Sequence, residues 1–227
     1  MTMTTRLFES TTWEKLSQIL YDLATTGKST VLELLHDKND YRFINRLERA
    51  GYIEKDKVVV MKSIPILLVR LSSKGMKVCH SLGWEVHESE WSRLNRLHEK
   101  GNGSKNHSAA ILWFAYQARR RNWKIEVMPD LGDPYIKPDA VASKKSQIVH
   151  VEVEMDAHRN WEKWGSVGRF ANSERSHLGI CSLTPSKRTS LIREAKWMGI
   201  GGMATDLQTL SQRGNNTILW LENWNGI

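Results

Sequence analysis

Cysteine is scarce in this 227-residue chain: Cys79 and Cys181 are the only two, and they lie far apart. Neither belongs to a Cys-x-x-Cys pair, which argues against structural zinc and a disulfide framework. Long hydrophobic runs are missing. No stretch of about 18 apolar residues occurs, so no transmembrane helix is expected. No strong basic amphipathic helix points to a membrane surface. Residues 1–10 lack a basic segment followed by an apolar one, so no signal peptide is expected. These absences set the expectation of a cytoplasmic protein with reduced cysteines. There is no Gly-x-x-x-x-Gly-Lys-Ser/Thr or Gly-x-Gly-x-x-Gly loop for nucleotides. No Gly-x-Ser-x-Gly marks a hydrolase triad. His107, His158 and His177 are scattered, without paired zinc spacing.

What is present is enough apolar sequence for a core, at 40% hydrophobic residues, and a net charge of +8. The length suits one large or two modest domains. The basic balance favours an anionic partner, nucleic acid being the commonest. Residues 1–100 carry 16 Lys/Arg against 13 Asp/Glu, and residues 101–227 carry 17 against 12. The excess is thus shared by both halves. The Gly-rich polar run 99–106 reads as a linker. The expected organisation is a first domain over 1–83, a connecting helix and linker over 84–106, and a second domain over 107–227.

The first half predicts three helices and then extended segments. Thr12 can cap a helix bearing Leu16, Ile19, Leu20 and Leu23, ending near Gly27. Ser29 or Thr30 can start a second, and Asp40 a third that contains Phe43, Ile44 and Leu47 and ends at Gly51. Tyr52-Ile53, Val58 to Met61 and Ile66 to Leu71 read as extended, with a turn at Glu54 to Lys57. Ser72 or Ser73 can cap a helix from Lys74 to Leu82. Helices followed by a hairpin are the winged form of the helix-turn-helix, whose third helix enters the DNA major groove. Arg42, Arg46 and Arg49 fall at i, i+4 and i+7, on one helical face with Asn45 beside them. Arg suits phosphate and guanine, and Asn suits adenine. An ordinary solvated basic face is the alternative. Trp84 to Glu99 predicts a packing helix.

The second half predicts a helix over Ser108 to Arg121 and strands over Trp123–Met128, Ile136–Ser143, Ile148–Met155, Leu178–Leu183 and Ile218–Leu221. Further helices are expected over Arg159–Phe170 and Pro185–Met198. Such mixing indicates an α/β (α+β) domain. Along Val149 to Asp156, Val149, Val151, Val153 and Met155 share one strand face, and His150, Glu152, Glu154 and Asp156 the other. With a turn centred between Lys145 and Ser146, Asp139 falls opposite Glu152, where like charges repel. A Mg²⁺ or Mn²⁺ ion held by Asp139, Glu152 and Glu154 would relieve that repulsion and serve phosphoryl chemistry. The alternative is a solvent-facing acidic strand face.

Lys137-Pro138-Asp139-Ala140 with Val151-Glu152-Val153-Glu154 resembles the PD-(D/E)XK nuclease motif. Those pieces, with the run Arg46 to Ile53, Leu71-Ser72-Ser73-Lys74-Gly75 and the His107 helix, resemble the replication-relaxation family over roughly residues 10–210. The resemblance implies an N-terminal winged helix and a PD-(D/E)XK restriction-endonuclease-like mixed-sheet domain. It implies Asp139 and Glu152 as metal ligands. Glu154 stands where the motif has Lys, and Lys163 on the following helix is a candidate relocated lysine, against the alternative of an ordinary exposed one. The helix before the first strand carries no acidic ligand.

Two functions follow as expectations. One is a DNA-binding, Mg²⁺- or Mn²⁺-dependent endonuclease using Asp139, Glu152, Glu154 and Lys163. The other is a non-catalytic DNA-binding regulator or replication-accessory protein of a plasmid, phage or other mobile element. A protein-interaction module is a third class. The expected partner is double-stranded DNA, with a homodimer left open and no membrane.

Overall fold

A computed structural model describes residues 10–35, 37, 40–61, 64–98, 104–133, 135–155, 161–214 and 217–226. Gly101 to Gly103 of the expected linker, Asp156, His158 and Arg159 lie outside the described residues. The chain divides into two compact units, 1–105 and 106–227. The fold is mixed α+β, and no described helix is long and apolar enough to cross a membrane.

The first unit begins with α1 (Ser10–Thr26), α2 (Val31–Leu34) and α3 (Tyr41–Arg49). Their apolar stripes meet in one core: Leu16, Ile19, Leu20 and Leu23 of α1, Val31 and Leu34 of α2, and Phe43, Ile44 and Leu47 of α3. Gly27 and Gly51 end α1 and α3 at φ +65° and +74°, a left-handed conformation that glycine adopts without a Cβ clash. Asp40 does not cap α3 with its side chain; its Oδ2 instead accepts from the Asp37 N–H at 2.9 Å.

An antiparallel hairpin follows, β1 (Ile53–Met61) against β2 (Ile64–Leu71). The turn expected at Glu54 to Lys57 is instead the middle of β1. Three of the four charges there have a partner, and Lys57 is exposed. Glu54 accepts from Arg70 across the ladder at 2.7 Å, Lys55 pairs with Glu48 of α3 at 2.6 Å, and Asp56 accepts from Trp91 Nε1 at 2.8 Å. Four charges in a row therefore do not break the strand. After β2 come α4 (Ser73–Ser81) and α5 (Glu90–His98). The helix expected from Trp84 thus starts only at Glu90, and residues 84–89 are irregular. Trp91 and Leu94 of α5 are fully buried, and the helix packs on β2.

The second unit holds α6 (Lys105–Arg119), β3 (Lys124–Val127), β4 (Ala140–Lys144), β5 (Gln147–Glu154), α7 (Trp161–Ser173), β6 (His177–Ser182), α8 (Pro185–Trp197), β7 (Gly202–Asp206), α9 (Leu207–Gln212) and β8 (Glu222–Trp224). The six strands form one sheet in chain order. Strand β4 is antiparallel to both β3 and β5, β5, β6 and β7 are parallel, and β8 is antiparallel to β7. The helices α7 and α8 make the two parallel crossovers, as parallel pairing requires.

Three expectations fail here. Residues 136–139 are not strand, because Pro138 has no N–H to extend a ladder. Residues 218–221 are not strand, and β8 lies just beyond them. β7 and α9 were not expected. All five residues of β7 are buried, so it shows no alternation to read.

Candidate functional site

The β4–β5 turn is centred between Lys145 and Ser146, with Lys144 opposite Gln147 and Ala140 opposite Val151. Asp139 is therefore the next position after Ala140, facing Glu152 in the same register. Its side chain ends the ladder: Oδ2 accepts the Val153 backbone N–H at 2.7 Å. The strand face bearing His150, Glu152 and Glu154 is not solvent-facing. Asp139 and Glu152 are only 4% and 1% exposed. The helix α7 covers them: Phe170 meets the His150 ring edge-on at 5.2 Å, and Trp164 Nε1 donates to Glu154 Oε1.

Lys163, also on α7, is not an ordinary exposed lysine. Its Nζ lies 3.3 Å from Asp139 Oδ1 and forms an ion pair with Glu152 Oε2. One ammonium thus joins two buried carboxylates, one just before β4 and one on β5. The other oxygen of Glu152, Oε1, is buried and has no hydrogen-bond partner among the described residues.

His107, in the first turn of α6, completes the group and was not singled out by spacing. Its Nε2 is 2.9 Å from the Val153 carbonyl and 3.2 Å from Asp139 Oδ2. A carbonyl only accepts, so Nε2 carries the proton and donates to both. Sequence distance hides this contact, since 32 residues separate His107 from Asp139.

These surroundings push the acids apart. Burial raises the Asp139 carboxyl, but the His107 hydrogen bond, the Lys163 charge and the Val153 N–H outweigh it and hold it below the usual range. Burial drives Glu152 well above its ordinary value, and the Asp139 charge adds to this against the pull of Lys163. Burial likewise raises Glu154, partly offset by the Trp164 N–H. Burial alone would lower Lys163 and His107, yet the adjacent Asp139 keeps both raised, helped at Lys163 by Glu152. Two close acids sharing one cation divide in this way, one ionised and the other inclined to hold a proton.

Among the described residues, no three His, Cys, Asp or Glu side chains form a ready-made metal cage. The donor chemistry nonetheless suits a hard cation. Asp139 Oδ1 and Glu152 Oε2 already converge on one cationic atom, and Glu152 Oε1 has its lone pairs unused. Mg²⁺ commonly takes one or two carboxylates and completes its shell with water and phosphate oxygens. One oxygen of Glu154 accepts from Trp164 Nε1.

In the first unit, Arg42, Arg46 and Arg49 are all exposed on α3, opposite the buried Phe43, Ile44 and Leu47. Asn45, half-buried beside them, has a partner on β1. Lys55 Nζ donates to its Oδ1 at 2.8 Å. An ammonium only donates, so the amide oxygen accepts here, with one of its two lone pairs.

Comparison of the chain with protein-family profiles, curated proteins and solved structures gives no match.

Proposed function

We propose that the chain is a DNA-binding protein of the replication-relaxation type. In this reading its first unit is a winged helix, and its PD-(D/E)XK-like second unit hydrolyses phosphodiesters with Mg²⁺ or Mn²⁺. One observation carries the catalytic part: Lys163 reaches both Asp139 and Glu152. The lysine missing from the strand, where Glu154 stands, is thereby supplied from α7. Asp139 and Glu152 would hold the ion, which polarises the phosphate and activates water. Lys163 would orient that water or steady phosphate oxygens, and His107 fixes the Asp139 carboxylate.

Plasmid nicking with Mg²⁺ or Mn²⁺ tests this directly. Wild type should cleave, and Asp139→Ala and Glu152→Ala should each lose at least about two orders of magnitude, the scale of a charge-stabilising group. Equal activity in all three rejects the assignment.

The DNA-binding part rests on the exposed arginine face of α3 and on the order of helices and hairpin around it. Arg42→Ala with Arg46→Ala should weaken duplex binding. If both contact phosphate, the slope of log K against log salt should become shallower by about 2. Unchanged affinity and slope would favour a protein-docking role.

A non-catalytic regulator is the second reading, favoured by Glu154 at the lysine position and its hydrogen bond to Trp164. It predicts tight, sequence-specific duplex binding with no metal-dependent cleavage.

A further inference from the structure

We infer that Lys163 is the resting occupant of the cation position in the second unit, and that a divalent ion binds there by displacing its ammonium. The inference rests on the reading of Asp139 and Glu152 as cation ligands, though not on hydrolysis itself. Asp139 Oδ1, just before β4, and Glu152 Oε2, on β5, both contact Lys163 Nζ. A buried carboxylate pair with no counter-ion would be strongly unfavourable. The ammonium therefore does in the metal-free protein what a metal would do. The two cations exclude each other. An ion held about 2.1 Å from both oxygens would occupy the space that the ammonium hydrogens now fill.

The exit route is visible in the exposures. The Lys163 side chain is 30% exposed, against 5% for Asp139 and 2% for Glu152. A flexible four-carbon stem anchored on α7 can swing toward solvent while the acids stay fixed. Asp139 is held in place by the Val153 N–H and His107. Glu152 Oε1, buried and without a partner among the described residues, gives an incoming ion a donor that Lys163 leaves unused. The displaced ammonium remains beside the site, where phosphate oxygens could receive it.

The test uses the full-length chain without DNA. Mn²⁺ is titrated into wild type and Lys163→Met, with free Mn²⁺ read by electron paramagnetic resonance. Lys163→Met should bind about tenfold tighter or better, equivalent to about 1.4 kcal/mol. Adding Glu152→Gln to Lys163→Met should remove the gain. In wild type, saturating Mn²⁺ should raise acetylation of Lys163 relative to the other lysines, measured by mass spectrometry. The labelling arm decides the matter alone if Lys163→Met does not fold. Equal Mn²⁺ affinities, a gain that survives Glu152→Gln, unchanged Lys163 labelling, or no binding up to millimolar Mn²⁺ would each overturn the inference. Displacement without any DNA cleavage would leave it standing and reject the nuclease reading. Cleavage with Lys163 labelling unchanged would do the reverse.

Discussion

Asp139→Ala should destabilise the protein by about 3 kcal/mol, whereas Glu152→Gln should cost under about 1 kcal/mol or stabilise it. The two acids are close neighbours, so the contrast is a sharp test of how their shared site is built. Asp139 satisfies three donors: the Val153 N–H, His107 Nε2 and Lys163 Nζ. Its removal strands a buried backbone N–H, which alone costs about 1–3 kcal/mol. Lys163 keeps Glu152 and a route to water, so the loss stays at the low end for a broken buried pair. Glu152 sits where burial and the Asp139 charge oppose its ionisation, and a neutral amide of the same shape removes that opposition. Urea unfolding at neutral pH measures both.

The pH dependence gives a second reading of the same contrast. Glu152 has a raised carboxyl in the folded chain, so folded protein binds its proton above the ordinary 4.5 where unfolded protein has lost it. Its contribution must therefore fall as pH rises from about 4.5 toward the folded value. Asp139 is depressed, so its contribution is present above the ordinary 3.8 and is lost as pH falls through the lower folded value. Stability of Glu152→Gln relative to wild type should rise with pH above about 4.5. A flat difference across that range would show that Glu152 ionises freely and that the site is wetter than its burial indicates.

This geometry was partly legible in the sequence, and the division has physical causes. The Asp139–Glu152 register could be read because the hairpin is local: a short polar turn between alternating strands fixes every pair back from it. Lys163 could be named but not placed, since its reach depends on how α7 lies across the face of β5. His107 could not be found by spacing. It enters from the start of α6, and no periodicity links that turn to Val153. Strand β7 was invisible for the opposite reason. Gly202 to Asp206 is buried on both faces, and Gly202 is needed because a Cβ there would lie 2.6 Å from the Leu178 carbonyl oxygen. In β1, charged residues 54–57 imitated a turn because the partners of Glu54, Lys55 and Asp56, namely Arg70, Glu48 and Trp91, lie on other elements.

Gly75→Ala is expected to cost about 3 kcal/mol or more, against about 1 kcal/mol for Ser72→Ala. Both residues belong to the Leu71-Ser72-Ser73-Lys74-Gly75 run, and the structure shows what that run holds. A helix C-terminus leaves carbonyls without partners. At the end of α3, the first turn of α4 supplies them. Lys74 Nζ donates to the Ala50 carbonyl at 2.8 Å, Ser72 Oγ to Gly51 at 2.6 Å, and the Ser72 N–H to Tyr52 at 3.0 Å. Ser72 also caps α4 by accepting the Gly75 N–H at 3.1 Å. The approach is so close that a Cβ on Gly75 would sit 2.0 Å from the Tyr52 carbonyl oxygen. That obstacle is backbone and cannot rotate aside, so α4 must lift and release the Gly51–Tyr52 corner. Ser72→Ala removes only a cap and one carbonyl partner, without moving the backbone. Hydrogen exchange should therefore show lost protection in α3 and α4 for Gly75→Ala, with the strands of the second unit unchanged. The same variant should weaken duplex binding if α3 is the recognition helix, because its arginines depend on that corner for their aim. Full protection in α3 together with unaltered stability would mean that the two runs do not meet as closely as the Gly75–Tyr52 approach requires.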